Sequence, residues 1–170
     1  MEFLELAKKR YSSRKYKDMP IESEKLDKII EAGRVAPTGK NNQPVRLIVV
    51  KEKESLEKLS KGASTYGAPA VIIVLCDKEK SWVRPYDGKS IADIDASIVT
   101  THMMLQAAEL GLGSVWMCRL EEDTIKAQFN IPDNYTIVNL LAVGYADDDP
   151  KSPDRHGELR IPTSEFASFV

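Results

Sequence analysis

Two cysteines and two histidines are too few for much metal or thiol chemistry. Cys76 and Cys118 each end an apolar run (Ile72-Ile73-Val74-Leu75 and Val115-Trp116-Met117), so both are expected as reduced, buried thiols and not as a disulfide. No Cys or His pair has ligand spacing, which argues against a metal site. Excess charge is lacking too. A net charge of -2 gives no global pull toward nucleic acid or an anionic membrane, so any cationic site must be local. No apolar run approaches membrane-spanning length, and the first residues mix Glu2 and Glu5 with Lys8 and Lys9 where a signal peptide needs an apolar core; the expected compartment is the cytoplasm. Internal repeats, low-complexity segments and a Walker loop are absent. Gly111-Leu112-Gly113 follows a helix and precedes a strand, the reverse of the order a dinucleotide loop requires, and reads as a helix terminator.

What remains is a chain of 170 residues, 42% hydrophobic and 29% charged, sized for one domain over residues 1–170 or for a protomer whose core a partner completes. Apolar periodicity predicts a short helix over Glu2 to Lys9, then a helix from Pro20 to Val35 capped by Ser23 and stopped before Pro37. Strands are expected at Arg46 to Val50, Pro69 to Cys76, Ser114 to Cys118 and Tyr135 to Tyr145. Short helices are expected at Glu54 to Lys61 and Glu121 to Phe129. A long helix from Ser90 to Leu110 carries an apolar stripe through Ile91, Ile94, Ile98, Thr101-His102, Leu105 and Ala108. This order suggests an α+β fold with a mixed four-stranded sheet, with a doubly wound sheet as the competing topology. The tail from residue 147 is polar but ends in Phe166, Phe169 and Val170, which favours a tail that embraces something.

Two stretches are equipped to hold a ligand. In an extended segment after the first helix, Arg10, Ser12 and Arg14 share one side and present two guanidiniums and a hydroxyl, the donors a phosphate needs; a solvated basic face is the alternative. Ala36-Pro37-Thr38-Gly39-Lys40-Asn41-Asn42-Gln43-Pro44 has no apolar period, fixes its ends with prolines, allows positive φ at Gly39 and offers hydroxyl and amide groups. Catalytic side chains are scarcer. His102 lies on the apolar stripe and is expected as a hydrogen-bonded core residue, and Ser12, Ser13, Thr38 and Ser114 lack a base partner. Cys118 beside Arg119 is expected to be buried before it is reactive. Such a chain binds a phosphate and a hydrogen-bonding ring and leaves the reaction to a cofactor.

Arg10-Tyr11-Ser12-Ser13-Arg14-Lys15-Tyr16, the loop Ala36 to Pro44 leading into Arg46 to Val50, Asp95 through Gly113-Ser114, and Ala142-Val143-Gly144-Tyr145 together resemble the nitroreductase family of FMN-dependent oxidoreductases over nearly the whole chain. The resemblance implies an intertwined homodimer whose four-stranded, mostly antiparallel sheet gains a strand from the partner's tail, with FMN at the interface. Arg10, Tyr11, Ser12 and Arg14 would then hold the phosphate, ribityl chain and pyrimidine edge. Pro37, Thr38, Gly39, Asn41 and Gln43 would come from the other protomer, and Trp116, Met117 and Cys118 would line the isoalloxazine. Arg155, or Arg160 in its place, would reach the phosphate. The implied activity is ping-pong hydride transfer from NAD(P)H through FMN to a nitroaromatic or quinone. A member dedicated to one substrate, such as a dehalogenase or enone reductase, and a non-catalytic flavin carrier are the alternatives. Val45 stands where the family usually has Trp, and Cys118-Arg119 where larger members commonly have an acidic residue and glycine. The short loop after Cys76 is similar to that of small members.

Overall fold

The computed structural model describes residues 2–170; Met1, the first residue of the expected domain, lies outside the described residues. Its order is α1 (Phe3–Lys9), α2 (Ser23–Arg34), β1 (Val45–Val50), α3 (Lys53–Ser60), β2 (Ala70–Asp77), α4 (Ala92–Glu109), β3 (Gly113–Met117), α5 (Glu122–Phe129), β4 (Tyr135–Gly144), α6 (Arg155–Leu159) and α7 (Thr163–Phe166). The strands lie in the order β1-β2-β4-β3 and pair antiparallel throughout. One parallel contact, the bridge between Ser12 and Ser114, adds the segment after α1 beside β3. A doubly wound sheet is thereby excluded.

β2 is buried along its whole length because both faces of the sheet are covered. Val71, Ile73 and Leu75 face Leu59 of α3 and Ile125 of α5, whereas Ile72 and Val74 face Ile29 of α2 and Val99 and Met103 of α4. β1, at the sheet edge, leaves Leu47 and Val49 only half-buried.

Four expectations need correction. Ser23 is the first helical residue and makes no capping bond; Glu22 holds the cap position, with its carboxylate accepting from the Tyr145 hydroxyl. α4 turns inward a different face from the expected stripe. Ala92, Asp95, Ala96, Val99, Thr100, Met103 and Ala107 are buried, while Ile94 is 51% exposed, Ile98 and Leu105 are half-buried and His102 is exposed. The reason is close packing: a Cβ on Gly33 of α2 would lie 2.9 Å from Met103 Cγ, so the glycine of α2 makes room for Met103 on this face of α4. His102 does make a hydrogen bond, Nδ1–H donating to the Ile98 carbonyl at 2.8 Å, but from an exposed position. Cys118 is exposed because β3 stops at Met117; only Cys76 is buried, and burial first, then Asp95 and Asp77, pushes its thiol up to about 11.

Candidate functional site

α1 ends at Arg10, whose backbone turns extended at φ -58 and ψ 130. From there the arm to Tyr16 is sewn down on both sides. Ser13 N–H donates to the Ser114 carbonyl at 3.0 Å, and Asp147 N–H donates to the Lys15 carbonyl at 2.9 Å. Asp148 is the organising group: its carboxylate accepts from Ser13 Oγ at 2.6 Å, Arg14 N–H at 2.9 Å and Tyr11 Oη at 3.1 Å. Burial works against its charge, but the bonds from Ser13, Arg14 and Tyr11 outweigh burial and hold its pKa below the usual carboxylate value. The Tyr11 phenol therefore serves the arm, and burial followed by the Asp148 bond raises its pKa.

Fixing Ser13 inward leaves Arg10, Ser12 and Arg14 on the alternate side. Arg10 is half-buried. Burial lowers its pKa first and the charges of Arg155 and Arg160 lower it further, and Arg10 has no ion pair among the described residues. Arg155 spends its donors on carbonyls, Nη1 to Ser152 at 2.7 Å and Lys8 at 3.0 Å, and Nη2 to Arg10 at 2.8 Å. It thus ties the tail to the end of α1, where a cation also complements the helix dipole.

Arg14 lines a cleft of about 530 Å³ together with Trp116, Met117 and Cys118 and with Lys61, Ser64 and Tyr66. The residues expected on the flavin face and one of the expected arm residues thus line one space. Trp116 also carries a buried Nε1 with no partner among the described residues.

The amide loop lies elsewhere. Thr38 and Gln43 line a second cleft with Ile30, Arg34 and Val99, and within one protomer the loop and the arm do not meet in a common cleft. Positive φ falls on Lys40 (51°), Asn41 (55°) and Gln43 (49°), not on Gly39 as expected. Gly39 is needed for space instead, since a Cβ there would sit 2.3 Å from Ile91 Cδ1. Three left-handed non-glycine residues store strain. Clamps offset it: Gly39 N–H to Asp95 Oδ1 at 2.9 Å, Gln43 N–H to Thr38 Oγ1 at 3.0 Å, and Asn42 Nδ2 to the Lys80 carbonyl at 3.0 Å. Lys40 adds a cation–π contact over Trp82.

Sequence reasoning missed Asp148, Asp95 and Lys61. Asp148 stood in an acidic run with no period to mark it. Asp95, 1% exposed, did carry a signal, a carboxylate at helical spacing from Ala92 and Val99.

No helix among the described residues is long and apolar enough to cross a membrane. The Nitroreductase family profile matches residues 7–65 and 56–145. A nitroreductase family protein of solved structure from Clostridium difficile is 55% identical, with a TM-score of 0.96 over 99% of this chain and 98% of its own. A second structure from that species, described as an FMN-dependent nitroreductase, is 34% identical with a TM-score of 0.78 over 94% and 97%. A relative from Methanothermobacter thermautotrophicus, provisionally named for NADH dehydrogenase and NAD(P)H nitroreductase, is 34% identical over 95% of this chain and 86% of its own length. The chain belongs to the nitroreductase family and is an oxidoreductase.

Proposed function

We propose that this protein is an FMN-dependent NAD(P)H oxidoreductase that acts as a homodimer, with the flavin lying between the arm of one protomer and the amide loop of its partner. The observation that carries the reading is the meeting of Arg10 with Arg155 of the tail, whose Nη2 donates to the Arg10 carbonyl at 2.8 Å, neither of them in an ion pair among the described residues, on the arm that also brings Arg14 to the cleft lined by Trp116, Met117 and Cys118. Guanidiniums without a carboxylate partner fit an anion, and the FMN phosphate is one of the right size. The cleft that Arg14 reaches suits a flat ring.

When bound, FMN supplies hydride transfer, taking hydride from NAD(P)H and passing it to an electron-poor acceptor such as a nitroaromatic or quinone in two half-reactions. The chain's own residues bind and orient. Arg10 with Arg155 or Arg160 neutralises the phosphate, Ser12 and Arg14 hold the ribityl chain and pyrimidine edge, and Trp116 to Cys118 form the ring's floor. Pro37, Thr38, Gly39, Asn41 and Gln43 of a second copy close the other side. No proton-moving side chain is required, and substrates alternate in one open cleft.

Two features support the dimer. The outward face of α4, with Ile94, Ile98 and Leu105, is too apolar for a solvent face, and the tail leaves Phe166 77% and Phe169 94% exposed on the isolated protomer. The half-covered β1 edge can accept a strand from the partner's tail over residues 147–170.

Purified protein should be yellow and should oxidise NAD(P)H when given menadione or a nitroaromatic. A colourless protein that takes up no FMN contradicts the reading.

A further inference from the structure

With the cleft taken as the flavin and substrate site, as proposed above, the charges at its mouth narrow what stacks there. Lys61 caps α3, and Arg119 stands two residues beyond β3; both line the cleft. Backbone joins their two segments, because Glu121 N–H donates to the Gly62 carbonyl at 2.8 Å. A Cβ on Gly62 would lie 2.6 Å from Ile125 Cγ1, so glycine permits this closure and the two cations sit on segments held together by backbone.

Neither cation is neutralised. Lys61 Nζ donates to the amide oxygen Gln128 Oε1 at 3.2 Å, and Arg119 has no ion pair among the described residues. Of the neighbouring carboxylates Glu122 has a cationic partner, while Glu121 lines the same cleft and is in no ion pair among the described residues. Glu122 pairs with Lys126 at 2.9 Å and accepts from Ile137 N–H at 3.0 Å, and Glu121 accepts from Thr124 Oγ1 at 3.2 Å. With Arg14, Lys61 and Arg119 lining the cleft against the single carboxylate of Glu121, its mouth keeps a positive balance that a cofactor phosphate held at Arg10 would not use.

We infer that the cleft selects substrates bearing an anionic group, a carboxylate or phosphate, which reaches Lys61 and Arg119 while the reacting part stacks over Trp116 to Cys118. Both cations are exposed, so each contributes modestly and salt screens the effect.

The test uses FMN-loaded protein as wild type, Lys61→Gln, Arg119→Gln and the double variant. Two substrate pairs are compared by kcat/KM: 4-nitrobenzoate against 4-nitrobenzamide, and NADPH against NADH. Intrinsic reactivity cancels when each anionic-to-less-anionic ratio is divided by its wild-type value. The acceptor ratio should fall about fivefold in the double variant at low salt, and about 0.5 M salt should shrink the difference between wild type and variant. A fall confined to the NADPH-to-NADH ratio also supports anion selection and identifies the reductant's phosphate as the anion. Unchanged ratios for both pairs with turnover retained overturn the inference and leave the oxidoreductase reading standing. Failure of that reading is visible separately, as wild-type protein that binds no FMN.

Discussion

Asp95, buried in the middle of the molecule on α4, accepts the N–H of Gly39 at 2.9 Å and so anchors the amide loop to the helix at the centre of the fold. Its second oxygen, Oδ2, has no partner among the described residues. One carboxylate oxygen therefore holds the most strained segment of the chain, between Lys40 and Gln43.

Replacing Asp95 by Ala leaves the Gly39 N–H without a partner and should destabilise the fold by about 1–3 kcal/mol. Thermal melting should show a drop of several degrees, and FMN should be retained less well because the loop loses its anchor. Asp95→Asn keeps an acceptor for Gly39 and should recover most of both losses. Equal losses in the two variants would show that the hydrogen bond is not what matters.

Asp148 sets a pH dependence whose sign is fixed by its lowered pKa. A carboxyl with a lower pKa folded than unfolded contributes stability that is fully present above the unfolded value, about 3.9, and is lost as pH falls through the folded one. Asp148→Asn should accordingly be less stable than wild type at pH 7, and the gap should close below about pH 3.9. Parallel denaturation midpoints of the two proteins across that range would contradict the role given to Asp148.

Local pattern revealed what local pattern determines. β2 and β4 were readable as continuous apolar runs because helices cover both faces of the sheet. The arm and the loop stood out by composition. The inward face of α4 did not, since that helix is apolar on two sides and periodicity cannot say which side meets α2; the decisive clue is the small residues Gly33, Ala96 and Ala107. The contacts of Asp148 and Arg155 with the arm were illegible for a different reason. Their partners lie 134 to 137 and 145 to 147 residues away for the arm contacts, and no local signal encodes such a distance. Arg155, proposed above for the phosphate, also donates to the carbonyls of Lys8 and Arg10, a structural duty that its place in the tail does not reveal.

That division of labour separates two arginine variants. Arg10→Ala should weaken FMN binding by about 1.5–3 kcal/mol, the worth of a hydrogen bond to a charged group, with little change in the melting temperature of the apoprotein. Arg155→Ala strips donors from the carbonyls of Lys8, Arg10 and Ser152 and should lower the apoprotein's melting temperature as well. Fluorescence titration with FMN and melting of the apoprotein together distinguish these outcomes. Unchanged FMN affinity in Arg10→Ala counts against the phosphate site.

The outward face of α4 supplies the test of the dimer. Leu105, half-buried in the isolated protomer, lines an apolar groove of about 940 Å³ with Phe3, Leu6 and Val35. A second copy on this face would desolvate it, and a Glu at position 105 would then place an unpaired charge in the contact, at a cost of several kcal/mol. Because position 105 points away from the sheet, Leu105→Glu should leave the protomer folded by circular dichroism while gel filtration shows a protomer-sized species. If the flavin site is shared between protomers, the same variant must lose its FMN. A protomer-sized Leu105→Glu that stays yellow would separate dimerisation from cofactor binding and remove the amide loop from the site.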